Sequence, residues 1–256
     1  MATSSYNNVC NGSPQNEDKQ GPSKTLPSAS SGDGGPPKYK YGIDPKTLIF
    51  CISMTHPAGG FGGDDTDLST IGCSANFGKF SNQFVGLTYK KQKNVNEITN
   101  CLYQFFQDAI DEFTENRGFS PSKVIIYRIG IAEGLYGKVG SYEIPLFVNV
   151  LKKKAEGAVF TFIAAQKQKV KKSANSLTQA SNQFIMFHSG KATKGKTLKY
   201  TVLSMQPVGH CSMDELYRIT KELADAASLT QYPVYYPLPI CVAKQMVEQS
   251  TSPKGV

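Results

Sequence analysis

Residues 94–131 read NVNEITNCLYQFFQDAIDEFTENRGFSPSKVIIYRIGI, and the change of period within them decides the fold. Val95, Ile98, Leu102, Phe105, Phe106, Ile110 and Phe113 recur at steps of three and four, which lays one apolar stripe along a helix. Asn94 and Glu97 are spaced as a capping box at its start. Asn116-Arg117-Gly118 marks its end, since glycine accepts the left-handed backbone on which helices close. Lys123–Ile131 (KVIIYRIGI) is then apolar and β-branched without a helical period, as a buried strand is.

The chain on either side repeats this alternation. Upstream, Thr47–Met54 (TLIFCISM) predicts a buried strand that ends at Thr55-His56-Pro57, and a glycine-rich loop (AGGFGGDDTD) follows. Ser69–Phe77 and Gln83–Tyr89 alternate apolar and polar residues as two further strands. Downstream, a second helix is expected over Tyr142–Ala155, with Pro145 tolerated in its first turn. Ala158–Gln166 (AVFTFIAAQ) predicts another strand, and Phe184–Phe187 and Tyr200–Leu203 shorter ones. A third helix covers Asp214–Ala227, opened by the capping-box pattern Ser212-x-x-Glu215. Three strands followed by helix–strand–helix–strand imply an α/β domain, a mixed central sheet flanked by helices. Helices after strands four and five favour parallel pairing there through right-handed crossovers.

Composition narrows the class. The chain has 256 residues, 39% hydrophobic, with 14 Phe and 13 Tyr, so it is not disordered throughout. Residues 1–40 differ: Ser, Gly, Pro and Asn dominate, and isolated apolar residues cannot offset the entropy of ordering, so a disordered tail is expected. One folded unit over residues 41–249 and a frayed C-terminus at 250–256 complete the organisation. No apolar run approaches the ~18 residues of a membrane helix, and the N-terminus shows no secretory signal. Six scattered cysteines without a C-x-x-C fit reduced thiols in a cytoplasmic or nuclear protein better than disulfides or zinc. The net charge of +8 points toward an anionic partner, nucleic acid first.

Three motifs in order then carry a resemblance. Thr55-His56-Pro57 follows the first strand, Tyr127-Arg128-Ile129-Gly130-Ile131-Ala132-Glu133-Gly134 the fourth, and Phe162-Ile163-Ala164-Ala165-Gln166-Lys167 the fifth. With Asp214-Glu215-Leu216 and Pro237-Leu238-Pro239 before Ala243, this arrangement resembles the Piwi domain of Argonaute proteins over about residues 46–247. The resemblance implies an RNase H-like fold and a role in small-RNA-mediated gene silencing. Slicing members of the family cut RNA with two Mg²⁺ ions about 4 Å apart, which hold the attacking and leaving oxygens. Such hard ions need oxygen ligands, chiefly carboxylates. The resemblance places the four ligand positions at Ser53, Glu97, Ile129 and Thr201, of which only Glu97 is acidic. The expectation is a catalytically inactive domain with no metal and no cofactor. Glu97 itself has two readings, a helix cap or a catalytic relic. Asp64, Asp65 and Asp67 lie in the glycine-rich loop, read as a flexible surface loop.

The lysines suggest what remains. Residues 151–172 hold seven lysines and one acid, Glu156, and residues 191–199 hold Lys191, Lys194, Lys196 and Lys199 with no acid. Lys152, Lys153 and Lys154 read as the solvated C-terminal end of the second helix, where the dipole favours cations. The resemblance implies that Lys167, Lys169, Lys171 and Lys172, with Lys194, Lys196 and Lys199, meet the RNA backbone, through salt-sensitive, sequence-blind contacts. Arg128 matches a family position too, with an internal ion pair or a phosphate contact both open. His56 reads as a turn-fixing residue. No N, PAZ or MID domain fits before residue 41, so RNA binding, to a guide or a guide–target duplex, is expected to be weak. The alternative is a protein-interaction module or truncated Argonaute fragment that competes for silencing partners; no membrane partner is expected.

Overall fold

The computed structural model describes residues 42–55, 69–91, 95–169, 182–187, 196–228 and 236–251. The strands are β1 (Thr47–Thr55), β2 (Ser69–Ala75), β3 (Val85–Lys91), β4 (Lys123–Ile129), β5 (Val159–Lys169), β6 (Gln183–Phe187) and β7 (Lys196–Gln206). The helices are α1 (Val95–Arg117), α2 (Tyr136–Lys154), α3 (Met213–Ser228) and α4 (Leu238–Thr251). The seven strands form one sheet in the order β3-β2-β1-β4-β5-β7-β6. β1, β4 and β5 are parallel neighbours and every other pair is antiparallel. The mixed sheet expected from the alternation is therefore present. Parallel pairing stops at β5, whose other neighbour, β7, runs antiparallel to it and pairs antiparallel with β6 in turn.

Side chains alternate across the sheet and feed two cores. On one face Leu48, Phe50, Ile52, Val124, Ile126 and Phe162 pack under α1 and α2. On the other Ile49, Cys51, Ile125, Tyr127, Ile163 and Tyr200 pack under α3 and α4. The stripe read for α1 is buried at Leu102, Phe105, Phe106, Ile110 and Phe113. The helix stops where expected: Gly118 takes φ +74 and its N–H donates to the Thr114 carbonyl at 2.8 Å. Arg117 in the last turn donates to the carbonyls of Pro45, Asn76 and Gly78 and lies 4.1 Å from the Phe113 ring. One side chain thus ties α1 to the entry of β1 and the β2–β3 connection.

Three elements differ most from the sequence reading, each for a physical reason. α2 begins at Tyr136, after a short 3-10 turn at Glu133–Leu135, so Pro145 sits well inside the helix and not in its first turn. Proline removes the N–H that would meet the Ser141 carbonyl, but Ser141 and Pro145 are both exposed and water can satisfy that carbonyl. β7 runs from Lys196 to Gln206, far beyond Tyr200–Leu203, because pairing with β5 and β6 carries its polar residues into the ladder. Nothing in the sequence pattern predicts α4. Ile240, Cys241, Val242, Ala243, Met246 and Val247 are all buried, so no broad polar face marks its period. It rests on β2 so closely that a Cβ on Gly72 would come within 2.2 Å of the Ala243 carbonyl oxygen.

α3 shows half a capping box. The Glu215 N–H donates to Ser212 Oγ at 3.0 Å, whereas the Glu215 carboxylate turns to Lys123 Nζ at 2.7 Å instead of back to the cap. That hydrogen bond holds the Glu215 carboxyl below its usual value of 4.5, against a smaller upward push from burial. A depressed carboxyl pKa stabilises the fold above the unfolded value, and the contribution is lost as pH falls through the folded pKa. Glu215→Gln is therefore expected to lower the urea midpoint at neutral pH, with the deficit closing on acidification below 4.5. A deficit independent of pH would show that the ion pair contributes nothing.

Candidate nucleic-acid interface

Parallel β1, β4 and β5 bring their carboxyl ends to one edge of the sheet, where open α/β folds place their ligand crevices. Ile52 pairs with Arg128, so Ser53 and Ile129 come next on neighbouring strands. Following the register across the sheet gives one transverse row: Thr88, Gly72, Ser53, Ile129, Ala165, Tyr200 and Phe184. All seven belong to the face covered by α3 and α4, with Ser53 5% and Ile129 8% exposed. Gly130, directly after Ile129, takes φ +85, which turns the chain out of β4 at this level.

The row offers little to a divalent cation. It contains hydroxyls and hydrocarbon but neither carboxylate nor imidazole. Burial raises the Tyr200 phenol and the nearby Cys51 thiol well above their usual values, so both stay neutral. Among the described residues, no group of three or more His, Cys, Asp or Glu is placed to hold a metal. The residues present at Ser53 and Ile129 thus do not fit a two-Mg²⁺ centre. The Glu97 side chain, His56 and the loop carrying Asp64, Asp65 and Asp67 lie outside the described residues.

Thr201 requires a correction. Its neighbours Tyr200 and Val202 pack under α3 and α4, whereas Thr201 pairs with Ala164, whose side chain belongs to the core under α1 and α2. The sheet itself separates Thr201 from Ser53 and Ile129, so the three cannot share a ligand sphere. The Thr201 hydroxyl is buried, with no hydrogen-bond partner among the described residues.

The basic residues sort in the same way. Arg128 is 6% exposed and points toward α2, not to an RNA surface. Its guanidinium donates to Glu143 Oε2 at 3.1 Å, to Glu143 Oε1 at 3.4 Å and to the Ile129 carbonyl at 2.9 Å. Of its two open readings, the internal ion pair is the one formed. Lys199 lies between Leu198 and Tyr200 on the α1/α2 face and pairs with Glu133, which compensates its charge. Lys167 is exposed on the opposite face, two residues beyond Ala165. Backbone register sets Lys169 directly across from Lys196. Lys171, Lys172 and Lys194 lie outside the described residues.

Two residues of this edge escaped the sequence reading. Tyr236, 5% exposed, has Lys167 Nζ 5.8 Å and Lys244 Nζ 5.5 Å from its ring centroid. Neither Tyr236 nor Lys244 could be found without α4, which carries Lys244 and begins just after Tyr236. A separate cleft of about 740 Å³ opens at the amino ends of the parallel strands, lined by Ile43, Phe80, Phe84, Leu223 and Leu238 with Lys79, Glu222 and Asp225. Among the described residues no helix is long and apolar enough to cross a membrane.

Comparison with known proteins agrees with this architecture. The sequence pattern of the Piwi domain matches residues 35–252. Protein argonaute 18 of Oryza sativa subsp. japonica is 27% identical over 123 residues, 48% of this chain and 11% of that protein. The chain spans about a tenth of the length of the curated relatives it matches. The structure of Marinitoga piezophila Argonaute in complex with 5′ OH guide RNA superposes with a TM-score of 0.60 at 16% identity, covering 83% of this chain and 31% of that one. The C-terminal lobe of a budding yeast Argonaute gives 0.60 at 18% identity, covering 80% and 47%.

Proposed function

The chain belongs to the Piwi-domain family of Argonaute proteins, with its RNase H-like fold, and from that premise we propose that it binds RNA backbone in small-RNA silencing without cutting it. The observation that carries this reading is the transverse row through Ser53 and Ile129, which has no anionic ligand at the carboxyl ends of β1 and β4. Two dications bridging a phosphodiester need carboxylates to offset their charge. A buried isoleucine and a neutral hydroxyl do not supply them. Binding rests on lysines: Lys167 is exposed at the same edge, Lys169 and Lys196 are paired beside it, and Lys171, Lys172 and Lys194 belong to the adjoining segments. Ammonium groups neutralise phosphates and release counterions, which gives affinity without sequence preference.

The test has two arms. The purified protein incubated with an RNA duplex and Mg²⁺ or Mn²⁺ is expected to leave it intact. The same protein is expected to retain RNA on a filter at low salt, with affinity falling steeply as salt rises. Metal-dependent cleavage would overturn the first half of the reading. Failure to retain RNA at low salt would overturn the second, and would leave the cleft around Phe80 as the surface to examine for a protein partner.

A further inference from the structure

We propose that Lys167 and Lys244 form a metal-independent phosphate clamp on the platform of Tyr236, covering the edge where the row through Ser53 and Ile129 lacks carboxylates. The inference rests on the RNA-binding reading above and names the site of contact. Three observations converge on it. The backbone of α4 at Ala243 lies against Gly72, the register partner of Ser53, so the next residue, Lys244, stands over this part of the sheet. Lys167 comes from β5, one step beyond the row. The two ammonium groups reach the same nearly buried ring, at 5.8 and 5.5 Å.

Charge explains why this arrangement suits an anion. Both ammonium groups lie within 6 Å of the same ring centroid, so a phosphodiester bound at this ring can be met by both charges. Among the described residues the acid paired with Lys244 is Glu248, 71% exposed and 3.8 Å away, a solvated pair that exchanges easily for phosphate. Among the described residues Lys167 makes no ion pair. Backbone register sets Lys169 opposite Lys196 two residues further along β5. Two ammonium groups at one ring thus offer the phosphate positive charge that a bound dication would otherwise supply.

Anisotropy of a short labelled RNA distinguishes the possibilities. Lys244→Ala and Lys167→Ala are each expected to weaken the Kd about fivefold at low salt, and to reduce the slope of log affinity against log salt by about 0.7 per lost contact. Lys244→Arg should retain affinity, EDTA should change nothing, and thermal melting should confirm that each variant is folded. Lys152→Ala, at the C-terminal end of α2, removes the same charge elsewhere and is expected to bind like wild type. Equal weakening by Lys152→Ala would reduce the effect to net charge and overturn the clamp. Wild-type affinity in both Lys244→Ala and Lys167→Ala would also overturn it while leaving the RNA reading intact. Loss of wild-type affinity on adding EDTA would do the same. A wild-type protein that binds no RNA at low salt would remove the RNA reading, and the clamp with it.

Discussion

Glu143→Ala is expected to lower the free energy of unfolding by about 3–5 kcal/mol, seen as an earlier urea midpoint at unchanged slope. Glu143 on α2 meets the Arg128 guanidinium with both carboxylate oxygens, and the arginine side chain is only 7% exposed. Removing the acid leaves an arginine that cannot lose its proton and that water barely reaches. The hydrogen bond to the Ile129 carbonyl and a long, weak one to Met54 Sδ at 4.0 Å would remain to hold it. The deletion of one partner is costly because the other keeps its charge in a poor solvent, not because the intact pair is worth that much. Arg128→Leu together with Glu143→Leu should therefore recover most of the loss. A single-variant cost below about 1 kcal/mol would mean that solvent reaches Arg128 freely, and would return it to the set of candidate RNA contacts.

Phe147→Ala is expected to cost about 3–5 kcal/mol by the same measurement. Phe147 is fully buried, and its ring lies 5.0 Å from Phe106 of α1, 5.9 Å from Phe162 of β5 and 6.4 Å from Phe50 of β1. Phe106 in turn meets Phe50 edge-on at 5.3 Å. Four elements therefore meet at one aromatic cluster, and each favourable ring pair adds about 0.5–1.5 kcal/mol beyond its buried area. The alanine variant loses the transfer energy of the ring and leaves a cavity whose walls belong to a sheet and two helices. Phe147→Leu should cost clearly less, since it fills part of that volume. Equal losses in the two variants would show that edge-to-face geometry, not volume, sets the cost.

The architecture was readable in the sequence wherever period and burial agree. α1 announces itself because one stripe is apolar and the rest is polar, and β4 because it is apolar throughout. α4 stayed hidden because both β2 and β3 press on it, so its sequence carries burial without direction. The early start of α2 was masked by Gly137, Gly140 and Pro145, whose low helix propensity is tolerated on its exposed side. At the candidate site, the register sets the motif positions Ser53 and Ile129 on neighbouring strands. The site was misread at Thr201, since a linear motif fixes order but not the face of a strand, and one residue of parity moves a side chain across the sheet. The irregularity between Phe162 and Ile163 in the β5–β7 pairing is a local feature that no spacing reveals. Arg128 illustrates the same limit: its motif position was visible, but its partner Glu143 lies on a helix whose placement only the fold supplies.

The contact between α4 and β2 also imposes an order of assembly. Ser74 donates to the Pro239 carbonyl at 2.6 Å, Thr88 to the Met246 carbonyl at 3.1 Å, and Gly72 and Gly86 lie beneath Ala243 and Met246. Strands near the beginning of the domain thus wait for a helix at its end. While the chain is being synthesised, β1 to β3 can pair, but one face of them stays bare until residues 238–251 have left the ribosome. A premature stop anywhere before Leu238 would leave that face permanently uncovered. Such a product would present apolar sheet to its surroundings, a substrate for chaperones and proteases instead of a smaller version of the domain.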